Sequence, residues 1–437
     1  MKLPSIGIEQ QDVDVLLSPT AYKETLLNHI QQAKSRIYIT ALYLQDDDAG
    51  REILTALYRA KAQSPALDIC IFVDAHRAQR GLIGQKAQLG NSAMYAEFAQ
   101  KHQEKINFYG IAVKPKELLG VLHLKGIIID DTLLYSGASI NNVYLHQHNH
   151  YRLDRYYLIH STALADCFCQ YLISNFIDSD VAIDLTDKVP LTKKQQKTQS
   201  KKTRAIVKRA SYQFSEVNET SAIQITPFVG CGVRRNQLNH QVCQLIKDST
   251  DAIVLFTPYF NLPRAVTKQL TLALKRGVKV TVIVGDKTAN DFYIADQDKF
   301  SLIGIIPYIY EQILRKFLKR WQKFVDSGQL VFKLWQDEGN SYHLKGLVVD
   351  NTYHLLTGSN LNPRAWGLDL ENGLLLHDPK QLLLAGFQQE LDSICQHTRD
   401  ITSYKDIDSQ RDYPLKPRKL LTRLSMSKVD RLLKRLL

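Results

Sequence analysis

The chain has 437 residues, 44% apolar and 23% charged, a balance that excludes a polytopic membrane protein or a disordered chain and allows two or three cored domains. Its formal net charge of +12 points to a polyanionic partner, nucleic acid or an acidic membrane surface, without choosing between them. Six scattered cysteines with no Cys-x-x-Cys pair argue for reduced thiols, and so for a cytoplasmic setting, rather than a disulfide framework.

The first residues, MKLPSIGIEQQDVDV, carry no apolar signal-peptide core. Ser18-Pro19-Thr20 reads as a helix start, followed by an apolar stripe at Leu26, Leu27, Ile30 and Ala33. A β-rich run over 37–44, a helix over about 51–62 and a strand over Ile69–Val73 come next. Then HLKGIIIDDTLLYSGASIN (His123–Asn141) places a continuous apolar run, as in a strand buried on both faces, ahead of a Gly turn. Lys188–Arg209, rich in Lys and Arg, reads as a mobile basic linker. Beyond it the pattern returns: a helix carrying Val242, Leu245 and Ile246, a strand over 252–257, a helix over about 264–276, a strand over Val278–Val284, and HLKGLVVDNTYHLLTGSNLN (His343–Asn362). Counterparts stand about 220 residues apart throughout, the mark of a duplicated domain. Alternating strands and helices predict an α/β layered fold in each half. The expected divisions are an N-terminal half over 1–185, a basic linker over 186–212, a C-terminal half over 213–411 and a basic amphipathic tail over 412–437.

The repeated unit is His-x-Lys-x4-Asp: His123, Lys125 and Asp130, then His343, Lys345 and Asp350. On a strand, residues two apart share a face, so each His and Lys should project into one site. Small residues in the following turns would admit a phosphate closely, with Ser139, Asn141, Ser359 and Asn362 as hydrogen-bond donors. Attack on an anionic phosphodiester needs positive charge against the growing oxyanion, which the two lysines and two asparagines would supply without a metal. A neutral imidazole is a nucleophile near pH 7, and an imidazolium opposite it can protonate the leaving oxygen. Each histidine then needs a carboxylate behind its other ring nitrogen. Asp154 and Glu371, at matching places in the repeat, are the candidates; Asp130 and Asp350, at strand ends, read as structural ion partners. Arg77, Arg80, Lys287 and Arg364 are further candidates to hold a diphosphate. His146, His148 and His150 alternate, but nothing completes a ligand set, so no metal or other cofactor is expected. Two segments suit a helix lying on an anionic bilayer: the tail, with Leu420, Leu421 and Leu424 among cations, and Tyr308–Phe324, with Tyr310, Leu314, Phe317, Leu318 and Trp321. No stretch reaches the ~20 apolar residues needed to cross one.

These motifs resemble the phospholipase D superfamily, whose pattern is HxKxxxxD followed by GSxxN. The second copy matches it and the first has Gly137-Ala138 in place of Gly-Ser. The flanking blocks DAHRAQRG (74–81), SGASINNVYLHQH (136–148), YRLDRYYLI (151–159), TPYFNLP (257–263), GDKTANDFY (285–293) and NLNPRAWGLDLEN (360–372) are similar to the phosphatidylserine synthase branch of Gram-negative bacteria, nearly end to end. The resemblance implies two α/β sandwich domains related by a pseudo-twofold axis, with the active site at their interface. It implies CDP-diacylglycerol and L-serine as substrates, a ping-pong reaction through a phosphatidyl-histidine, and attachment to the inner face of the cell membrane. Superfamily habit makes His123 the nucleophile and His343 the acid–base, and the reverse stays open. A cardiolipin synthase or hydrolytic phospholipase D would share the two histidines. A nuclease would share the basic charge, but no aromatic single-strand platform accompanies it here.

Overall fold

The computed structural model describes residues 4–80, 90–186, 192–215, 220–296 and 299–426. The first helix, Pro19–Gln32, is capped by Ser18, whose hydroxyl accepts from the Ala21 amide at 3.1 Å, and it buries Leu26 and Ile30 completely. In the first half, strands Arg36–Thr40, Asp68–Asp74 and Asn107–Ile111 run parallel, and Gly126–Ile129 adds antiparallel to the first of them. In the second half, Ala252–Thr257, Lys279–Gly285 and Leu330–Trp335 run parallel, and Gly346–Val349 adds antiparallel in the same way. The register repeats as well: Ile37 faces Ile129, and Ile253 faces Val349. The all-apolar runs that follow each HLK motif are therefore central strands between sheet neighbours, covered on both faces. The duplicated α/β architecture expected from the repeat is present, as one eight-stranded and one nine-stranded sheet.

The two halves are not separate beads. The N-terminal strand Ile6–Ile8 pairs with Ile223–Ile225 of the second sheet, and one apolar cluster runs from Phe72 and Ile128 through Tyr212 to Leu356, Leu374 and Phe387. Two short ladders also cross the boundary. The His123 amide donates to Leu370 O at 2.9 Å, and Leu370 donates back to Val121 O at 3.0 Å. The His343 amide donates to Leu153 O at 2.9 Å, beside the parallel pairing of Arg152–Leu153 with Ser341–Tyr342.

Three expectations change. The basic linker holds a helix, Lys193–Val207, rather than a mobile coil. Thr192 and Gln195 form a reciprocal capping box at its start, and Ser200, Thr203 and Val207 make a buried stripe against the first half. That stripe is short and mostly hydroxyl-bearing, which hid it among the charges. The segment Tyr308–Phe324 lies in the helix Ile306–Asp326, whose Tyr308, Tyr310, Leu314, Leu318 and Trp321 are buried, so its apolar face is taken by the protein's own core. In the tail, the helix Leu415–Met426 spends Leu421 on a cluster with Ile305, Tyr308 and Tyr413, with Leu420 and Leu424 packed beside it. The rest of the tail, 427–437, lies outside the described residues.

Thr203 is fully buried and its hydroxyl donates to Gln199 O at 3.0 Å. Placing a charge there costs on the order of several kcal/mol. Thr203→Glu should make trypsin cut at Lys201, Lys202 and Arg204 at least about fivefold faster than in the wild type, read by limited proteolysis. Equal cleavage rates would mean that the helix is not held by this stripe.

Candidate active site

The two ladders set the site. Gly126 and Gly346 open their strands at φ of 129° and 135°, a backbone region other residues rarely adopt, and His123 and His343 lie just before these bends. Running past Leu370, the first motif brings His123 against Glu371; running past Leu153, the second brings His343 against Asp154. Each histidine thus meets a carboxylate from the opposite half. His123 Nδ1 stands 2.8 Å from Glu371 Oε2. His343 Nδ1 stands 3.6 Å from Asp154 Oδ2 and 2.9 Å from the Tyr144 hydroxyl, with Lys345 Nζ in contact. In both rings Nδ1 is engaged, which leaves Nε2 as the reactive nitrogen.

The lysines cross over too. Lys345 Nζ donates to Asp154 Oδ2 at 2.6 Å, and both are buried. A Cβ built on Gly137 would lie 2.7 Å from Lys345 Nζ, and one on Gly358 would lie 2.7 Å from Lys125 Cγ. The glycines expected to admit a phosphate therefore first admit the opposite half's lysine. Asn141 and Asn362 turn their carbonyls inward as caps, accepting from Tyr144 N and Ala365 N at 2.9 Å each. Ser139 and Ser359 are buried in the same turns. Asn372, which sequence reasoning passed over, clamps Lys125 by accepting from its amide and donating to its carbonyl, both at 2.8 Å. Its adjacency to Glu371 was the available signal.

Burial dominates the electrostatics. It lowers the His123 pKa well below the usual imidazole value, and Lys125 and Lys345 push the same way. It lowers His343 to about 4, with Lys345 adding and Asp154 and Asp291 opposing. Both rings are neutral at pH 7, as a nucleophile must be. Burial also lowers Lys125 to about 7 and depresses Lys345, while the Glu371 and Asp154 charges resist. For Asp154 burial pushes upward, yet Lys345 and His343 outweigh it and hold the carboxyl below the usual range. A phosphate entering this cleft adds a further anion beside the two lysines.

Not every candidate reaches the cleft. Asp130 and Asp350 stand at the far ends of their strands, about 20 Å of extended chain from the histidines. Asp130 accepts from the amides of Lys34, Ser35 and Arg36 at 2.9, 2.8 and 3.2 Å, and Asp350 from Thr250, Asp251 and Ala252 at 2.9 Å each. They tie the start of the neighbouring strand through backbone hydrogen bonds, not ion pairs. Arg80 Nη2 lies 2.7 Å from Glu117 Oε1, and Arg77 lies 3.7 Å from that carboxylate with its guanidinium 4.8 Å over the Tyr43 ring. Arg364 donates to Glu117 O at 2.9 Å. Arg364 Nε also stands 3.4 Å from Asp369 Oδ2, so three arginines surround two acidic residues beside His123, and this corner stays cationic. Lys287, by contrast, is held between Glu311 at 3.0 Å and Asp408, so its charge is spent within the protein. His148 pairs with Asp48 and His146 sits on Thr20, and among the described residues no group of three metal-ligating side chains occurs.

Two sheets meeting at a twofold-like seam, with a crossed His–carboxylate pair and a crossed lysine from each side, define a phosphodiester-processing fold of the phospholipase D class. The chain belongs to the family described as "Cardiolipin synthase, PLD-like domain", whose model matches residues 26–152 and 242–395. It is 44% identical to the CDP-diacylglycerol–serine O-phosphatidyltransferase of Escherichia coli K12, across 100% of this chain and 97% of that one. The enzyme of the same name from Haemophilus influenzae Rd is 41% identical over the same shares. The crystal structure of phosphatidylserine synthase from that organism superposes with a TM-score of 0.95 at 40% identity, covering 100% of this chain and 97% of the other.

Because Lys125 fills the space beside Gly358, Gly358→Ala should lose about 1–3 kcal/mol of stability and displace the lysine. Gly386→Ala, whose Cβ would meet Val15 at an ordinary 3.4 Å, should be neutral. Urea unfolding midpoints compare the two; equal midpoints would remove the interface role assigned to Gly358.

Proposed function

We propose that this protein makes phosphatidylserine and CMP from CDP-diacylglycerol and L-serine in two displacements at one cleft. The observation that carries the reading is the crossed pair of neutral histidines, each backed at Nδ1 by the other half's groups and open at Nε2. High identity over nearly the whole length of two enzymes named for this reaction supports the substrate assignment.

In the first displacement His123 Nε2 attacks the phosphorus that carries diacylglycerol. The bond from that phosphorus to the CMP oxygen breaks, and CMP leaves on the His343 side as its phosphate anion, needing no proton from the neutral ring. In the second, the serine hydroxyl gives its proton to His343 Nε2 and attacks the phosphatidyl-histidine; the P–N bond breaks, neutral His123 is restored, and His343 passes the proton to solvent. Glu371 stabilises the positive charge on His123 while the P–N bond exists. Lys125, Lys345 and the amide groups of Asn141 and Asn362 offset charge on the phosphoryl oxygens. The Arg77, Arg80 and Arg364 corner suits the diphosphate of the nucleotide.

Substrate with two acyl chains is met at an interface. Leu118, Leu119 and Val233 are 62%, 46% and 68% exposed and sit among exposed Lys116, Arg234 and Arg235. Val233 lies against Gly367, and the 117–119 turn is tied to Arg364, so both rim the segment next to His123. This patch, rather than the buried face of 308–324, is the membrane contact, with the cations facing anionic headgroups on the inner leaflet. No helix among the described residues is long and apolar enough to cross a membrane.

Purified protein with CDP-diacylglycerol in mixed micelles should form phosphatidylserine only when L-serine is present. His123→Ala and His343→Ala should each lose at least about 10³-fold. His343→Ala should accumulate a phosphatidyl group on His123 by mass spectrometry; a group found on His343 in the reciprocal variant would reverse the roles. No CMP release from the wild type under any condition would sink the reading. Leu118→Asp combined with Leu119→Asp should cut co-sedimentation with phosphatidylglycerol vesicles at least about fivefold. Unaltered sedimentation would move the contact elsewhere.

A further inference from the structure

One charge pair beside His343 is used by none of these steps. Arg152 Nη2 stands 2.9 Å from Asp291 Oδ1, and the two side chains are only 16% and 15% exposed. Arg152 Nε donates to Ser341 Oγ at 3.1 Å and its guanidinium lies 4.8 Å over the Tyr144 ring, while no described hydrogen bond uses its Nη1. Asp291 Oδ2 accepts from the Tyr259 hydroxyl at 2.7 Å and lies 4.0 Å from His343 Nε2. Its other oxygen is sealed from solvent and accepts no well-aligned hydrogen bond. Tyr144 and Tyr259 both stand edge-on to His343, with ring centres 5.7 Å away.

A hydroxyl deprotonated by His343 must come within hydrogen-bond reach of Nε2. The rest of that alcohol then extends into the corner bounded by Tyr144, Arg152, Asp291 and Tyr259. This corner holds one fixed cation and one fixed anion, each incompletely satisfied by the other. An entering zwitterion can give its ammonium to Asp291 and its carboxylate to Arg152, exchanging one internal ion pair for two ligand pairs with no change in net charge. An alcohol lacking the carboxylate leaves Arg152 unmatched, and one lacking the ammonium leaves Asp291 unmatched. Glycerol or water offers nothing to either, so the pair stays closed on itself. Burial makes each missing partner costly, which is how a polar site rejects a near-isostere.

We propose that Arg152 and Asp291 form the acceptor site, reading the carboxylate and ammonium of an α-amino acid whose hydroxyl faces His343. The assignment rests on the two-displacement reading above, and it places the acceptor on the His343 side, opposite the phosphatidyl group on His123.

The test is a competition in CDP-diacylglycerol mixed micelles with full-length protein. L-serine is paired either with serinol, which lacks the carboxylate, or with 3-hydroxypropionate, which lacks the ammonium, and the lipid products are quantified. Arg152→Gln should lower the serine-to-serinol product ratio at least about tenfold while moving the serine-to-3-hydroxypropionate ratio less than about twofold. Asp291→Asn should do the converse. A general loss of structure would not split the two ratios in this way. Ratios unchanged in both variants, with CMP still released, would overturn the proposal. If the variants fail to fold, the wild type decides: the proposal requires serine to be preferred over both analogues, and a kcat/KM for either within about threefold of serine overturns it. Absence of CMP release from the wild type with every acceptor would fall instead on the reaction itself.

Discussion

Everything in the cleft depends on two backbone ladders that cross between the halves, His123 with Leu370 and His343 with Leu153. A histidine nucleophile tolerates little error in where its ring points, and a free side chain would be spread over rotamers. Here each histidine's own amide is pinned to the opposite half one residue before the carboxylate that holds its ring. Backbone and side chain are thus fixed by the same two-residue stretch of the other half. Pulling the halves apart would strip both histidines of orientation and leave Glu371 and Asp154 facing opposite-half lysines no longer there, so the shared apolar core is as necessary to chemistry as the motifs are.

Concentrating charge at this seam is expensive, and the structure meets the cost by pairing across it. Lys345 with Asp154 and Lys125 facing Glu371 give buried charges partners from the other side. The motif aspartates work at a distance: by capping three amides at the start of a neighbouring strand, Asp130 and Asp350 hold the central strands in register from the end opposite the histidines. The positive corner of Arg77, Arg80 and Arg364 is different in kind, because Glu117 and Asp369 together fall one charge short of three guanidiniums, which favours an anionic ligand there.

Much of this is legible in the sequence. A repeat with constant spacing, two intact motifs and continuous apolar runs imply two similar sheets with a histidine in each, and the matching places of Asp154 and Glu371 suggest carboxylate partners. What pattern does not carry is which half serves which. Swapping the partners across the seam leaves every spacing unchanged, so the crossing of Glu371 to His123 is a tertiary fact. The same limit hid Arg152 and Asp291, which lie in quoted motif blocks but come together only through folding. Two of the misjudged helices fail for another reason. In Ile306–Asp326 an apolar face flanked by cations looks alike whether it meets lipid or core. In Lys193–Val207 the docking stripe is built from Ser200 and Thr203, which composition counts as polar.

Duplication produces symmetry, but a two-step transfer needs two unlike histidines. The structure breaks the symmetry around the rings rather than in the motifs. His123 has a carboxylate alone at Nδ1, the arrangement suited to carrying positive charge through a covalent intermediate. His343 shares Nδ1 among a phenol, an ammonium and a carboxylate, and its Nε2 looks toward Asp291. A ring held by a mixed set of donors and acceptors can accept and return a proton without one form being locked in. The neighbours that differ between the halves, Glu371 against Asp154 and Tyr144 with Asp291 on one side only, are therefore where a duplicated fold divides its labour, with the shared HLK motifs left to supply what both steps need.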